Sequence, residues 1–148
     1  MEWLRGSVTE GGVATFGETE LKTPVGRANN LAMAIHEVEF EITPLDAKAA
    51  GDSIELQLTM NSKAAIAHIS NSDLIAKWSQ FIQVTTEGSF IHTAEKVQKF
   101  YPPLLYAKSS IYFGTITVGQ AGASTSYVRI GYTLRFVSAT RMVQALVD

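Results

Sequence analysis

The sequence predicts an all-β domain, a single antiparallel β-sandwich of about eight strands closed by a short C-terminal helix. Three observations carry this prediction. Apolar residues recur at every second position over several stretches, the period of a strand with one buried face. Turn formers separate these stretches at short intervals, the spacing of sandwiches and barrels. Helical period shows in only two places. With 148 residues the chain has the size of one domain, so residues 1–148 are read as one unit. A domain of that length buries about 70% of the surface its unfolded chain exposes, enough for a core without disulfides.

Taken in order, residues 1–12 are poor in apolar anchors and are read as an N-terminal arm. Residues 15–23 form the first strand candidate. Leu31, Met33 and Ile35 sit on one parity and Val38, Phe40 and Ile42 on the other, so a bulge near His36 is expected to switch the buried face. Ile54, Leu56, Leu58 and Met60 alternate with Glu55, Gln57 and Thr59, a strand with one wet face. Residues 62–69 are alanine-rich and are expected to form a turn or two of helix. Residues 74–85, 89–93 and 110–118 are further strands, although Leu74, Ile75 and Trp78 also fit a helical face. Over residues 126–137, Val128, Ile130, Tyr132, Leu134 and Phe136 alternate with Tyr127, Arg129, Gly131, Thr133 and Arg135, the clearest strand of all. Gly11-Gly12, Pro24 with Gly26, Pro44 with Asp46, Gly51-Asp52, Glu87-Gly88 and residues 119–126 supply the turns. Residues 138–148 form the short helix, with Ser138 as N-cap and Met142, Val143 and Leu146 on one face.

One stretch fits neither pattern. In Phe100-Tyr-Pro-Pro-Leu-Leu-Tyr106, Pro102 and Pro103 cannot donate to a ladder, which points to an extended loop or the start of a strand. Its apolar flanks must bury against their own sandwich or against a neighbouring subunit. Trp3, Tyr101, Pro102, Pro103, Leu104 and Tyr106 are therefore the candidate subunit contacts.

Charge and chemistry narrow the function further. Twelve basic and fourteen acidic residues give a net charge of −2, with no block of like charge, and this argues against direct nucleic-acid binding. The absence of cysteine removes disulfides, thiolate nucleophiles and thiolate zinc sites. No apolar run reaches the ~18 residues of a membrane span, the N-terminus lacks the order of a signal peptide, and synthesis in the cytoplasm is expected. His36, His68 and His92 share no metal-ligand spacing, and each is expected to cap a loop or satisfy a local hydrogen bond. No phosphate-binding glycine loop or Gly-x-Ser-x-Gly elbow occurs. No catalytic, cofactor-binding or metal-binding residue is assigned, and no enzyme activity is expected. Glu37, Glu39 and Glu41 fall on one strand face. They form either a solvated face or cross-strand ion pairs with Arg129 and Arg135 on an adjacent strand. Trp3 and Trp78 are isolated aromatics, suited to core, interface or ligand platform.

The run Tyr101-Pro-Pro-Leu-Leu-Tyr-Ala-Lys108, then Ser110-Ile-Tyr-Phe-Gly114, then Tyr127-Val-Arg-Ile-Gly-Tyr-Thr-Leu134 resembles small single-jelly-roll viral capsid proteins of the kind seen in marine viral metagenomes. Ile54-Glu-Leu-Gln-Leu-Thr59, Ser62-Lys-Ala-Ala-Ile66 and Asp73-Leu-Ile-Ala-Lys77 extend the likeness over most of the chain. The resemblance implies a jelly roll and a shell-forming protomer of the virion, made in the host cytoplasm. It further implies self-association as pentamers, trimers or hexamers, with no catalytic residues. One departure stands out. Many such proteins of small RNA viruses carry a basic N-terminal arm, whereas residues 1–30 here hold Arg5, Lys22 and Arg27 against Glu2, Glu10, Glu18 and Glu20. Two other functions compete with assembly. A binding module would show a concave patch of aromatics and acids, around Trp78, Tyr106 or Tyr112. An enzyme would bring the three histidines to one metal.

Overall fold

The computed structural model describes residues 1–26, 29–42, 52–85, 88–93 and 96–147, with side chains except at 42, 82–85, 88–93, 146 and 147. Among the described residues nine strands precede one helix. The strands are β1 (Glu2–Thr9), β2 (Gly17–Lys22), β3 (Leu31–Ile42), β4 (Ser53–Thr59), β5 (Leu74–Thr85), β6 (Gly88–Thr93), β7 (Val97–Tyr106), β8 (Ser110–Val118) and β9 (Thr125–Phe136). The helix is α1 (Ala139–Val147). They build a four-stranded sheet in the order β1-β9-β3-β7 and a five-stranded sheet in the order β2-β8-β4-β5-β6. Every pairing is antiparallel.

The pairings nest. β1 runs with β9, β2 with β8 and β3 with β7, around a central β4–β5 hairpin. This is one long antiparallel ribbon rolled on itself, and rolling adds the β3–β9 and β4–β8 ladders. The result is a jelly roll, with β6 as an extra strand at one edge. Inward side chains of both sheets meet in a core of Met33, Ile35, Val38, Phe40, Ile54, Leu56, Leu58, Trp78, Ile111, Phe113, Val128 and Ile130. Phe40 and Phe113 stack across the two sheets, ring centres 6.0 Å apart. Truncating either ring to alanine would cost about 3–5 kcal/mol, since a close-packed core collapses only partly.

The bulge expected near His36 is present: the β3 register slips between Ile35 and Glu37 against both neighbours. Residues 74–85 are a strand, β5, whose Trp78 is buried in the core. Four other expectations need correction. Residues 1–12 do not form a free arm, because Glu2 to Thr9 pair with Tyr132 to Thr125 of β9. Of the two readings open for the Pro102-Pro103 stretch, a strand forms, β7 at the sheet edge, but the prolines lie within it and not at its start. There the register jumps from Leu104 opposite Ile35 to Lys99 opposite Glu37, so Pro102 and Pro103 stand outside the ladder and their missing N–H groups cost no pairing. Residues 62–69 form no helix. They lie back over the five-stranded sheet, where Gln57 Nε2 donates to the Ala65 carbonyl at 3.1 Å and the Ala67 N–H donates to Gln57 Oε1 at 2.6 Å. The supposedly wet face of β4 is consequently covered, and Gln57 and Thr59 are fully buried.

Helix α1 covers part of the other sheet. Met142 and Ala145 pack on Ala32 and Ala107, with Leu105 and Val137 beside them. Ser138 caps it, accepting from the Arg141 N–H at 3.1 Å. Val143, expected on the buried side, points outward and is 59% exposed, because the apolar stripe is narrower than the sequence suggested. Pro44, Asp46, Gly51 and Glu87, read as turn residues, lie outside the described residues.

Candidate functional site

Helix α1 leaves most of the four-stranded sheet's outer face uncovered. Strand alternation and register fix what stands there. Trp3, Arg5 and Ser7 of β1 align with Gly131, Arg129 and Tyr127 of β9, which align in turn with Glu37, Glu39 and Glu41 of β3. The three glutamates thus form a column beside a column of mixed aromatic and cationic residues.

At the centre, Arg129 donates through Nε and its terminal nitrogen to the same oxygen of Glu39, both at 2.5 Å. Its guanidinium lies 4.4 Å from the centre of the Trp3 ring. Gly131 makes that ring position possible. A Cβ there would come within 3.1 Å of Trp3 Cζ3 and Glu37 Cγ, and within 2.9 Å of Met1 Sδ. Both members of the ion pair are partly exposed, so the pair itself contributes about 0–1 kcal/mol and serves mainly to fix Arg129. The stacked indole adds about 0.5–1 kcal/mol and removes most of the freedom of the arginine head.

Beside this fixed pair the surface sinks into a depression of about 440 Å³, lined by Arg5, Glu39, Glu41, Tyr127 and Arg129, with backbone from Gly6 and Val128. Tyr127 is 49% exposed, high for an aromatic ring in the middle of a sheet. Among the described residues neither Arg5 nor Glu41 has an ion-pair partner. Among the described residues, the depression therefore offers one unpaired guanidinium, one unpaired carboxylate and one open aromatic face, held on three strands.

The remaining expected site residues are spread apart. Arg135 does not face the glutamates: it aligns with Ala32, beyond the bulge that shortens the distance along β3. Glu37 aligns with Gly131 and Lys99, and Glu41 with Tyr127, so only Glu39 meets an arginine across the β3–β9 ladder. Among the candidate subunit contacts, Tyr106 is buried, since alternation turns it into the core, where its hydroxyl donates to the Ser110 carbonyl at 2.7 Å. Leu104 packs partly against the core, whereas Tyr101 stands 86% exposed with Pro102 beside it. Trp3 belongs to the stacked pair above. Burial of Trp78 and Tyr106 also removes them as ligand platforms. His36 bonds Thr133 Oγ1 at 2.9 Å and His68 bonds Ser70 Oγ at 2.8 Å, while the His92 side chain lies outside the described residues. Among the described residues no group of acids and histidines is placed to hold a metal.

Arg5 and Tyr127 were not singled out as site residues from the sequence. Tyr127 has the outward parity of Arg129, so that signal was present; Arg5 acquires meaning only once β1 is known to pair with β9. A second carboxylate also escaped notice. Glu10 is buried and accepts from the N–H and hydroxyl of Thr117 and from the Ser124 N–H, at 3.0, 2.5 and 3.0 Å, tying the β1–β2 turn to both ends of the β8–β9 loop. No protein-family model matches the chain, and no curated protein matches its sequence.

Proposed function

We propose that this chain is a structural, non-enzymatic shell subunit, a viral capsid protein that works by assembling with copies of itself. The observation that carries the reading is the jelly roll with large aromatic side chains left in solvent at its margins. Tyr101 is 86% exposed on edge strand β7, and Phe136 is 81% exposed at the end of β9. Open sheets must have their edges blunted or docked, and a repeated subunit docks them on its neighbours. Tyrosine and phenylalanine are favoured anchors at such contacts because they bury much area with few rotatable bonds. Among the described residues no helix is long and apolar enough to cross a membrane. The chain carries no arginine- or lysine-rich run, so a partner or another part of the virion would hold the genome.

Light scattering and negative-stain microscopy of the purified chain test this directly. Closed oligomers with more than about 1,000 Å² buried per contact are expected. A chain that stays monomeric at high concentration would sink the proposal. The second reading, a β-sandwich binding module, is favoured by the depression at Arg5 and Tyr127.

A further inference from the structure

We propose that the depression on the outer face of β1, β9 and β3 is a binding site for an acidic sugar, a pyranose carrying a carboxylate. The argument runs from what each lining residue demands of a ligand. Arg5 has no ion-pair partner among the described residues, and its planar guanidinium suits a carboxylate, to which it can donate two parallel hydrogen bonds. Glu41 and Glu39 are acceptors only, so the opposite side of the ligand must present O–H or N–H donors. That requirement rejects a bare polyanion such as a nucleic-acid backbone, which would meet two carboxylates. Tyr127, half exposed between them, offers a flat apolar surface with a polar tip. One anionic group, several hydroxyl donors and a flat C–H face describe an acidic pyranose.

Position and size agree with that class. Arg5 and Glu41 stand on the strands either side of β9, Arg5 level with Arg129 and Glu41 level with Tyr127, so a ligand joining them crosses β9 between Arg129 and Tyr127 and lies against the Tyr127 ring. Two strand spacings and a two-residue offset separate them, about 12 Å from backbone to backbone, a gap that long side chains narrow. A depression of about 440 Å³ takes a monosaccharide with room for a linked unit. The site is also preorganised. Arg129 is held by Glu39 and by the Trp3 ring, so it forms a fixed wall rather than a competitor for the ligand carboxylate.

The test compares D-glucuronate with D-glucose, which differ only in the carboxylate, by ligand-observed NMR and calorimetric titration against the full chain. Glucuronate is expected to bind in the millimolar range and glucose at least about tenfold more weakly. Arg5→Ala should lower glucuronate affinity by about tenfold or more and bring it to the level of glucose, and Tyr127→Ala should weaken both sugars. Both positions are exposed, so a thermal melt of each variant distinguishes lost binding from lost folding. Equal affinity for the two sugars, undiminished binding in Arg5→Ala, or no binding of either sugar at about 20 mM would each overturn the proposal. The outcome is independent of assembly, which light scattering reads separately.

Discussion

Tyr106 shows how much one buried hydroxyl decides. Its ring fills the core at the end of β7, and its hydroxyl donates to the carbonyl of Ser110, the first residue of β8, across the β7–β8 turn. Burial pushes its ionisation well above the ordinary tyrosine range, helped by the nearby Tyr112 and Asp73 charges. Burial, and then the Glu2 carboxylate, push Tyr132 in the same direction. A tyrosine held neutral in the folded state while the unfolded chain ionises near pH 10 adds stability below that pH, and the contribution is lost as pH rises above it. Thermal melts between pH 8 and 11 should therefore fall steeply from about pH 10. Tyr106→Phe should start about 1 kcal/mol lower for the missing hydrogen bond and then fall less steeply. Parallel slopes for the two proteins would refute this account. Gly119 is a second single-residue determinant. Its φ is +80°, and a Cβ there would run into the Asp52 carboxylate. Gly119→Ala should cost at least the ~1–2 kcal/mol of a left-handed alanine, read as a shift of the denaturation midpoint.

At the level of elements, the strands that could be recognised in the sequence are those whose alternation is uninterrupted. β4 carries three apolar residues and β9 five in strict alternation, and both form as expected. β1 escaped because its inward positions are Leu4, Gly6 and Val8, with a glycine in the middle that makes room for Leu21 of β2. β7 escaped because two prolines broke the pattern, and only pairing with β3 shows them set outside the ladder. The wet face assigned to β4 failed for a different reason: its cover comes from residues 61–70, and alternation along one strand carries no information about a segment folding back over it. The same cover makes a prediction. Gln57 holds the Ala65 carbonyl and the Ala67 N–H, and Lys63 is tied to Asp73 at 2.5 Å. Gln57→Ala leaves two backbone groups without partners, about 1–3 kcal/mol each if they stay buried, so this segment should lift away instead. Trypsin should then cut after Lys63 in the variant well before it cuts the parent chain. Equal cleavage rates would mean that the ties not made by Gln57, namely Glu18 to Ser62 and Lys63, Lys77 to Ala67 and the Lys63–Asp73 pair, hold the segment without it.

Across the whole molecule, rolling the ribbon has two consequences that the strands alone do not imply. It brings β9 from the end of the chain between β1 and β3, which creates the Trp3–Arg129–Glu39 stack and the depression next to it. It also leaves an edge strand at each side of both sheets, among them β7 with its displaced Tyr101-Pro102. Single exposed apolar residues are ordinary on protein surfaces and carry little meaning alone. Tyr101 and Phe136 differ in degree, since each leaves more than four fifths of a large aromatic side chain in water. Their contribution to folding is correspondingly small, and substitutions at such exposed positions change stability by about 0.5 kcal/mol or less. Their contribution to a contact between copies would be large, because an aromatic anchor desolvated at an interface is worth about 2 kcal/mol or more. The double variant Tyr101→Asp with Phe136→Asp separates the two roles. It should melt within a few degrees of the parent chain while the oligomer seen by light scattering falls to monomer. If the variant assembles as the parent does, the contacts between copies run through other surfaces, and the exposure of these two aromatics no longer supports assembly.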